Sequence, residues 1–174
     1  MKKDLFYSLT CLAFAIIIGG AFYEHLNVVP KWAAAPPVSL SMFQGQYGLK
    51  PELFWMLIHP VTLLLFAITL VMHWKSARRK PLLIVLGSYL FILVVTSIYF
   101  VPELISITTT AFSTDVDAEL TRRAARWEWL SLVRLGLLVI LSLVLFMGLT
   151  KANQSVKRQN ARVRRKEMAL GGEA

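Results

Sequence analysis

Glu24 and His25 stand side by side in "GGAFYEHLNVVP", at the end of an apolar run that carries no charge after Asp4. A carboxylate and an imidazole in one place can move a proton or take up a metal ion. The same residue types recur along the chain at helical spacings. Glu52 and His59 are related as i and i+7, which sets them on nearly one helix face about 10 Å apart along the axis. Thr62, Thr69 and His73 continue that face. Tyr89, Thr96, Tyr99 and Glu103 follow one another at steps of seven, three and four, and Trp127, Ser131 and Arg134 fall at i, i+4 and i+7.

Two chemistries are open to this set. In the first, His25 and His59 with Glu24 and Glu52 ligate a copper, iron or zinc ion, since imidazole and carboxylate suit those metals. No E-x-x-H or H-x-x-x-H pair occurs, so such ligands have to converge from different helices. In the second, His59 or a glutamate takes a proton from a lipophilic substrate, with Tyr99 and Glu103 beside it, and Arg134 holds the resulting anion in a dry site. Structural roles compete with both. Arg134 can pair with Glu24 or Glu103 and fix helix register. His59 precedes Pro60, whose missing N–H frees a carbonyl that the ring can meet. His73 beside Trp74 has the character of an interfacial anchor, and Glu52 suits a helix N-terminus.

The elements that must position these residues are spanning helices. The 174 residues are 56% hydrophobic and 17% charged, with a mean hydropathy of +0.59, far above an ordinary soluble domain. Four segments reach the length of about 20 apolar residues that crosses a bilayer: roughly 5 to 26, 53 to 73, 82 to 101 and 129 to 149. The net charge of +9 sorts by side. Lys2 and Lys3 precede the first segment, Lys75, Arg78, Arg79 and Lys80 lie between the second and third, and a basic tail over 151 to 174 follows the fourth. By the positive-inside rule both termini and the middle loop are cytoplasmic. The tail is then topogenic and attracted to anionic lipid, with no nucleic-acid partner required. The first segment is too long for a cleaved signal and shows no A-x-A site, so it reads as a signal anchor. Cys11, the single cysteine, excludes an intramolecular disulfide framework.

Outside the bilayer, the loop of about 29 to 50 is punctuated by Pro30, Pro36 and Pro37 and is rich in aromatic and apolar residues. That content predicts an ordered lid folded back on the helices. Pro51 and Glu52 read as the first turn of the second helix. Before the fourth helix, Ser113 or Thr114 is the expected cap of an amphipathic turn or two. Gly19, Gly20, Gly87 and Ser88 read as close-approach positions between helices.

Depth separates the polar residues. At about 1.5 Å of rise per residue, His59, Thr96 and Arg134 lie roughly 7 to 9 Å below the outer edge, with Glu24, His25, Glu52, Tyr99 and Glu103 at it. The inner half, as in "LLIVLGS" and "LVILSLVLF", reads as nearly featureless. An outer polar layer over an apolar inner half argues for a site and against evenly spread helix–helix glue.

"GGAFYEHLNVVP", "HP", "YFVPE" and "RWEWLSLVR", in that order, resemble the anthrone-oxygenase-like family of small four-helix membrane proteins. Pro30, Trp127 and Arg134 match its pattern, and Ser131 stands where the family commonly has histidine or asparagine. The resemblance implies a four-helix membrane fold and cofactor-poor oxidation of a polyphenolic or similarly oxidisable compound.

These observations converge on an all-α integral membrane protein, an antiparallel four-helix bundle of one domain in a bacterial inner or cell membrane. Its outward-facing polar pocket serves an oxidase- or oxygenase-like reaction on a small lipophilic substrate. The rival is a non-catalytic subunit, as a homo-oligomer or within a larger membrane complex, whose polar residues join helices. A transporter is disfavoured because the stripe fades inward. The metal chemistry predicts a stoichiometric transition metal in the purified protein, lost on replacing His25 or His59; elemental analysis that finds only trace metal in the unsubstituted protein ends that reading.

Overall fold

A computed structural model describes the backbone of residues 2–170 and the side chains of residues 2–151. The chain is all-helical, with no strand among the described residues. Six α-helices follow in order: α1 (Lys2–Asn27), α2 (Val29–Ala33), α3 (Glu52–Met72), α4 (Arg79–Val95), α5 (Val101–Thr108) and α6 (Ala118–Leu170). A 3-10 segment, Val38–Phe43, lies between α2 and α3, and a π-helical segment, Thr96–Phe100, joins α4 to α5. Four stretches are long and apolar enough to cross a membrane: Lys2–Ala33, Glu52–Met72, Arg79–Thr108 and Ala118–Lys151. The basic tail beyond 151, with its expected lipid contacts, lies outside the described side chains.

The long helices form a ring in which α1 touches α3 and α6, and α4 touches α6 and α3. Their shared centre is apolar and aromatic. Tyr7, Phe14, Ile17, Phe66, Leu82, Val85, Tyr89 and Leu145 are buried in one cluster, with Phe14 meeting Phe66 and Tyr89 edge to face. A second cluster, at the end holding α2, gathers Val29, Trp32, Leu40, Phe100, Ile107, Leu120 and Trp127. The expected lid is therefore ordered: α2 and the 3-10 segment lay Trp32 and Leu40 against α5 and α6, with Trp32 and Trp127 in edge contact at 5.5 Å. Ser39 donates to the Trp32 carbonyl at 2.6 Å and pins the turn between them.

Proline and glycine explain the local departures. Pro102 has no N–H to give, and its ring crowds the carbonyl one helical turn earlier; the backbone widens just before it, where Val101 N–H reaches the Thr96 carbonyl. Gly20 leaves room for Phe54, whose Cε1 would stand 2.6 Å from an added Cβ. Gly148 does the same for the Tyr7 hydroxyl, which an added Cβ would strike.

The Arg78 end corrects the expectation of a featureless inner half. Arg78 is buried and donates to Asp4 at 2.9 Å, to His73 Nε2 at 3.2 Å, and to the carbonyls of Gly148 and Leu149. Its guanidinium also lies 4.9 Å from the Tyr7 ring centroid, and Tyr7 itself donates to the Leu145 carbonyl at 2.7 Å. Because arginine can only donate, His73 presents a lone pair at Nε2 and gives its Nδ1 proton to the Thr69 carbonyl. His73 is thus a buried member of this centre and not the interfacial anchor expected beside the exposed Trp74. One turn further in, the hydroxyls of Thr10 and Thr69 meet at 2.7 Å and share the carbonyls of Phe6 and Leu65.

Two more expectations change. The last long helix starts at Ala118 in one unbroken run, and its cap is Asp117, whose Oδ1 accepts from the N–H groups of Glu119 and Leu120. Ser113 and Thr114 do not cap it; Ser113 accepts from Asp115 in the preceding turn. An aspartate in that place satisfies two orphan donors and complements the dipole, which a serine hydroxyl four residues earlier cannot do.

Arg78→Ala removes charge-assisted bonds that join the starts of α1 and α4 to the ends of α3 and the apolar part of α6. It should destabilise the protein by about 2–4 kcal/mol, read as a lower melting temperature in detergent, whereas the exposed Lys80→Ala stays near the parent. Equal melting of the two variants would show that this centre does not hold the helices.

Candidate functional site

At the opposite end from Arg78, polar side chains from all four long helices converge. Glu24 comes from the last turns of α1, where the apolar run gives way. Its Oε1 accepts from Trp55 Nε1 at 2.8 Å. Trp55 lies almost parallel to the His59 ring, 5.4 Å between centroids, one turn along α3. His59 Nδ1 stands 2.6 Å from the Tyr89 hydroxyl of α4. The expected contact with a carbonyl freed by Pro60 is not made; the ring turns inward to Tyr89, whose own ring is fixed by Phe14 and Phe66.

Arg134 of α6 completes the group. Its Nη1 donates to Thr96 Oγ1 at 3.1 Å and its Nη2 to Ser131 Oγ at 2.8 Å, while its guanidinium lies 4.2 Å from the centroid of Phe100. Thr96 can accept because its own proton goes to the Ile92 carbonyl. The π-helical segment therefore shapes the site directly, supplying both Thr96 and Phe100. Widened turns of this kind recur where a helix must re-aim side chains. Trp127 donates to the Phe100 carbonyl at 2.9 Å and so braces the same segment from α6. Of the resemblance residues on α6, Trp127 supports the backbone and Ser131 holds Arg134.

The ion pairs expected of Arg134 do not form. Glu103 is taken by Arg123 in a two-point pair at 2.8 and 3.0 Å, and Glu24 is taken by Trp55. Glu24 and Arg134 still feel one another's charge, as does His59 that of Arg134, so the three belong to one electrostatic neighbourhood. The sequence could not have foreseen the Glu103 partner, because Arg123 precedes the apolar stretch and comes into range only through the early start of α6.

The remaining candidates stand apart. Glu52 is exposed on the first turn of α3. Tyr99 packs edge-on against Phe100 and gives its hydroxyl to no partner among the described residues. His25 turns back on its own helix, Nδ1 to the Ala21 carbonyl at 2.8 Å, and its Nε2 is enclosed without a partner. Among the described residues no group of three or more His, Cys, Asp or Glu side chains is gathered as a metal site; the donors proposed for a metal are spread over different contacts.

What the arrangement can do is set by unspent hydrogen-bonding capacity. Glu24 Oε2, His59 Nε2 and Arg134 Nε make no hydrogen bond among the described residues. The enclosed, unpartnered side-chain atoms are His25 Nε2 and Thr62 Oγ1; these three are not among them, so packing does not seal them. The His59–Tyr89 pair can present either sense at Nε2. With the ring proton on Nδ1, Nε2 offers a lone pair; with Tyr89 donating, Nε2 offers a proton. Comparison of the chain with protein-family models, with curated proteins and with solved structures finds no match in any of the three.

Proposed function

We propose that the chain is an integral membrane protein, an antiparallel four-helix bundle with the Arg78 end cytoplasmic, and that the group around His59 and Arg134 is an outward-facing acid–base site for a small lipophilic substrate. The observation that carries the reading is the pairing of His59 with Tyr89, Nε2 unspent, in the field of an arginine that has no carboxylate partner. His59 takes the substrate's acidic proton through Nε2, Tyr89 holding Nδ1. Arg134 receives the negative charge that develops, in a layer where few dipoles compete with it. Glu24 is tethered by Trp55.

The likeness to the anthrone-oxygenase-like proteins suggests an oxidation as the next step. The deprotonated polyphenol is electron-rich; its electron pair and second proton pass to dioxygen, His59 returns the first proton, and a quinone and hydrogen peroxide leave, without a resident cofactor. The basic loop over 75 to 80 supports the orientation, because lysine and arginine are retained on the cytoplasmic side. The location that fits is a bacterial inner or cell membrane.

Dioxygen consumption by membranes supplied with a lipophilic polyphenol tests the reading. His59→Ala should lower the rate by roughly 10²–10⁴-fold, the range over which a general base contributes, with the protein still present in the membrane. Tyr89→Phe keeps the ring contacts and loses the hydroxyl, and should lower it less. Full activity in both variants would rule out the acid–base role; failure of either to accumulate would favour the non-catalytic subunit.

A further inference from the structure

A guanidinium inside an apolar bundle has five N–H donors and one charge to satisfy. Arg134 leaves that requirement partly unmet. One proton each of Nη1 and Nη2 goes to uncharged hydroxyls, Thr96 and Ser131, and one flat face is covered by Phe100. Nε–H and the second protons of Nη1 and Nη2 reach no acceptor among the described residues. The nearby carboxylates are engaged elsewhere, Glu24 by an indole and Glu103 by Arg123. Ser131 is fully buried, so the guanidinium is held by a fixed hydroxyl and not by a mobile surface contact.

From this we infer that Arg134 is the receptor for the carboxylate of a lipophilic acid, bound as a monoanion. The inference rests on the reading of this group as a ligand site and names the group by which the resting substrate docks, a carboxylate on the same molecule as the phenol that His59 deprotonates. A planar anion with two equivalent oxygens matches the N–H edge that a guanidinium presents, whereas a phenolate brings one oxygen. The charge balance sets the valence. One arginine supplies a single positive charge, and a dianionic phosphate would be left overcharged in a poorly solvated layer. The apolar body of the ligand has aromatic surface to meet, from Trp55 beside His59 and from Phe100 below the guanidinium.

The test compares two probes of one shape on the full chain purified in an uncharged detergent: 2-naphthoate and its neutral amide, 2-naphthamide, by isothermal titration. The intact protein should bind the carboxylate at least roughly tenfold more tightly than the amide, the scale of a charge-assisted hydrogen bond. Arg134→Gln should erase the difference, and Arg134→Lys, which keeps the charge without the fork, should keep part of it. Equal affinity for the two probes in the intact protein would overturn the anion assignment while leaving the ligand site standing. Binding of neither would overturn both. Displacement of bound naphthoate by phosphatidylglycerol vesicles would assign the anion to a lipid headgroup and overturn the free-acid reading.

Discussion

An arginine among apolar helices must be given acceptors or it will not stay, and Arg78 and Arg134, interior among the described residues, meet that constraint in opposite ways. Arg78 is saturated. Carboxylate, imidazole and two main-chain carbonyls surround it, and each comes from a different part of the chain, so the one side chain ties the start of α1, the end of α3, the start of α4 and residues 148 and 149 of α6. The rest of the bundle is built on this closure, because it fixes how the four helices meet at that end. Gly148 is part of the same device. The Tyr7 hydroxyl occupies the space a side chain would fill, and that places the ring where Arg78 and His73 can lie against it.

Arg134 is held in place but not neutralised. Its contacts are two hydroxyls and a ring face, which orient a guanidinium without cancelling its charge. That orientation is traceable to Pro102. The proline disturbs α4's continuation, the π-helical segment absorbs the disturbance, and the widened turn carries Thr96 and Phe100 to the guanidinium while Trp127 caps the carbonyl of Phe100. The backbone irregularity and the under-satisfied charge are therefore one feature.

The sequence made the four helices legible because length and apolarity are one-dimensional properties, and a run of about 20 such residues suits little besides a bilayer. It also placed Glu24, His59 and Arg134 in one outer layer, within roughly 9 Å of the edge, since rise per residue converts position into depth. It did not reveal partners. Whether Arg134 meets Glu24, Glu103 or neither depends on the rotation of α6 against α1 and α5, and Arg123, the actual partner of Glu103, lies eleven residues from Arg134 at the far end of the same helix. Tyr89 was visible as a polar residue on the α4 face, yet only the packing of its ring against Phe14 and Phe66 fixes its hydroxyl on His59. The inner centre was missed for a different reason. Arg78 sits in a run of basic residues that reads as topogenic charge, and nothing in the composition of "KSARRKP" distinguishes the arginine that turns inward from its exposed neighbours.

The contrast between the two arginines also bears on the choice between a site and a scaffold. Helix–helix glue is selected to be satisfied, because each unmet donor weakens the joint it is meant to make. The Arg78 centre, with the Thr10–Thr69 pair beside it, behaves in that way, and so does the Glu103–Arg123 pair. The group around His59 does not. Three of its side chains each keep a polar atom unspent, while the neighbours that could have quenched them, Trp55 and Tyr89, bind the other atom of the same group and so aim it. A direct Glu24–Arg134 ion pair would have joined α1 to α6 at this level. Each instead ends on neutral partners, Glu24 on Trp55 and Arg134 on Thr96 and Ser131, so no Glu24–Arg134 ion pair joins α1 to α6 among the described residues.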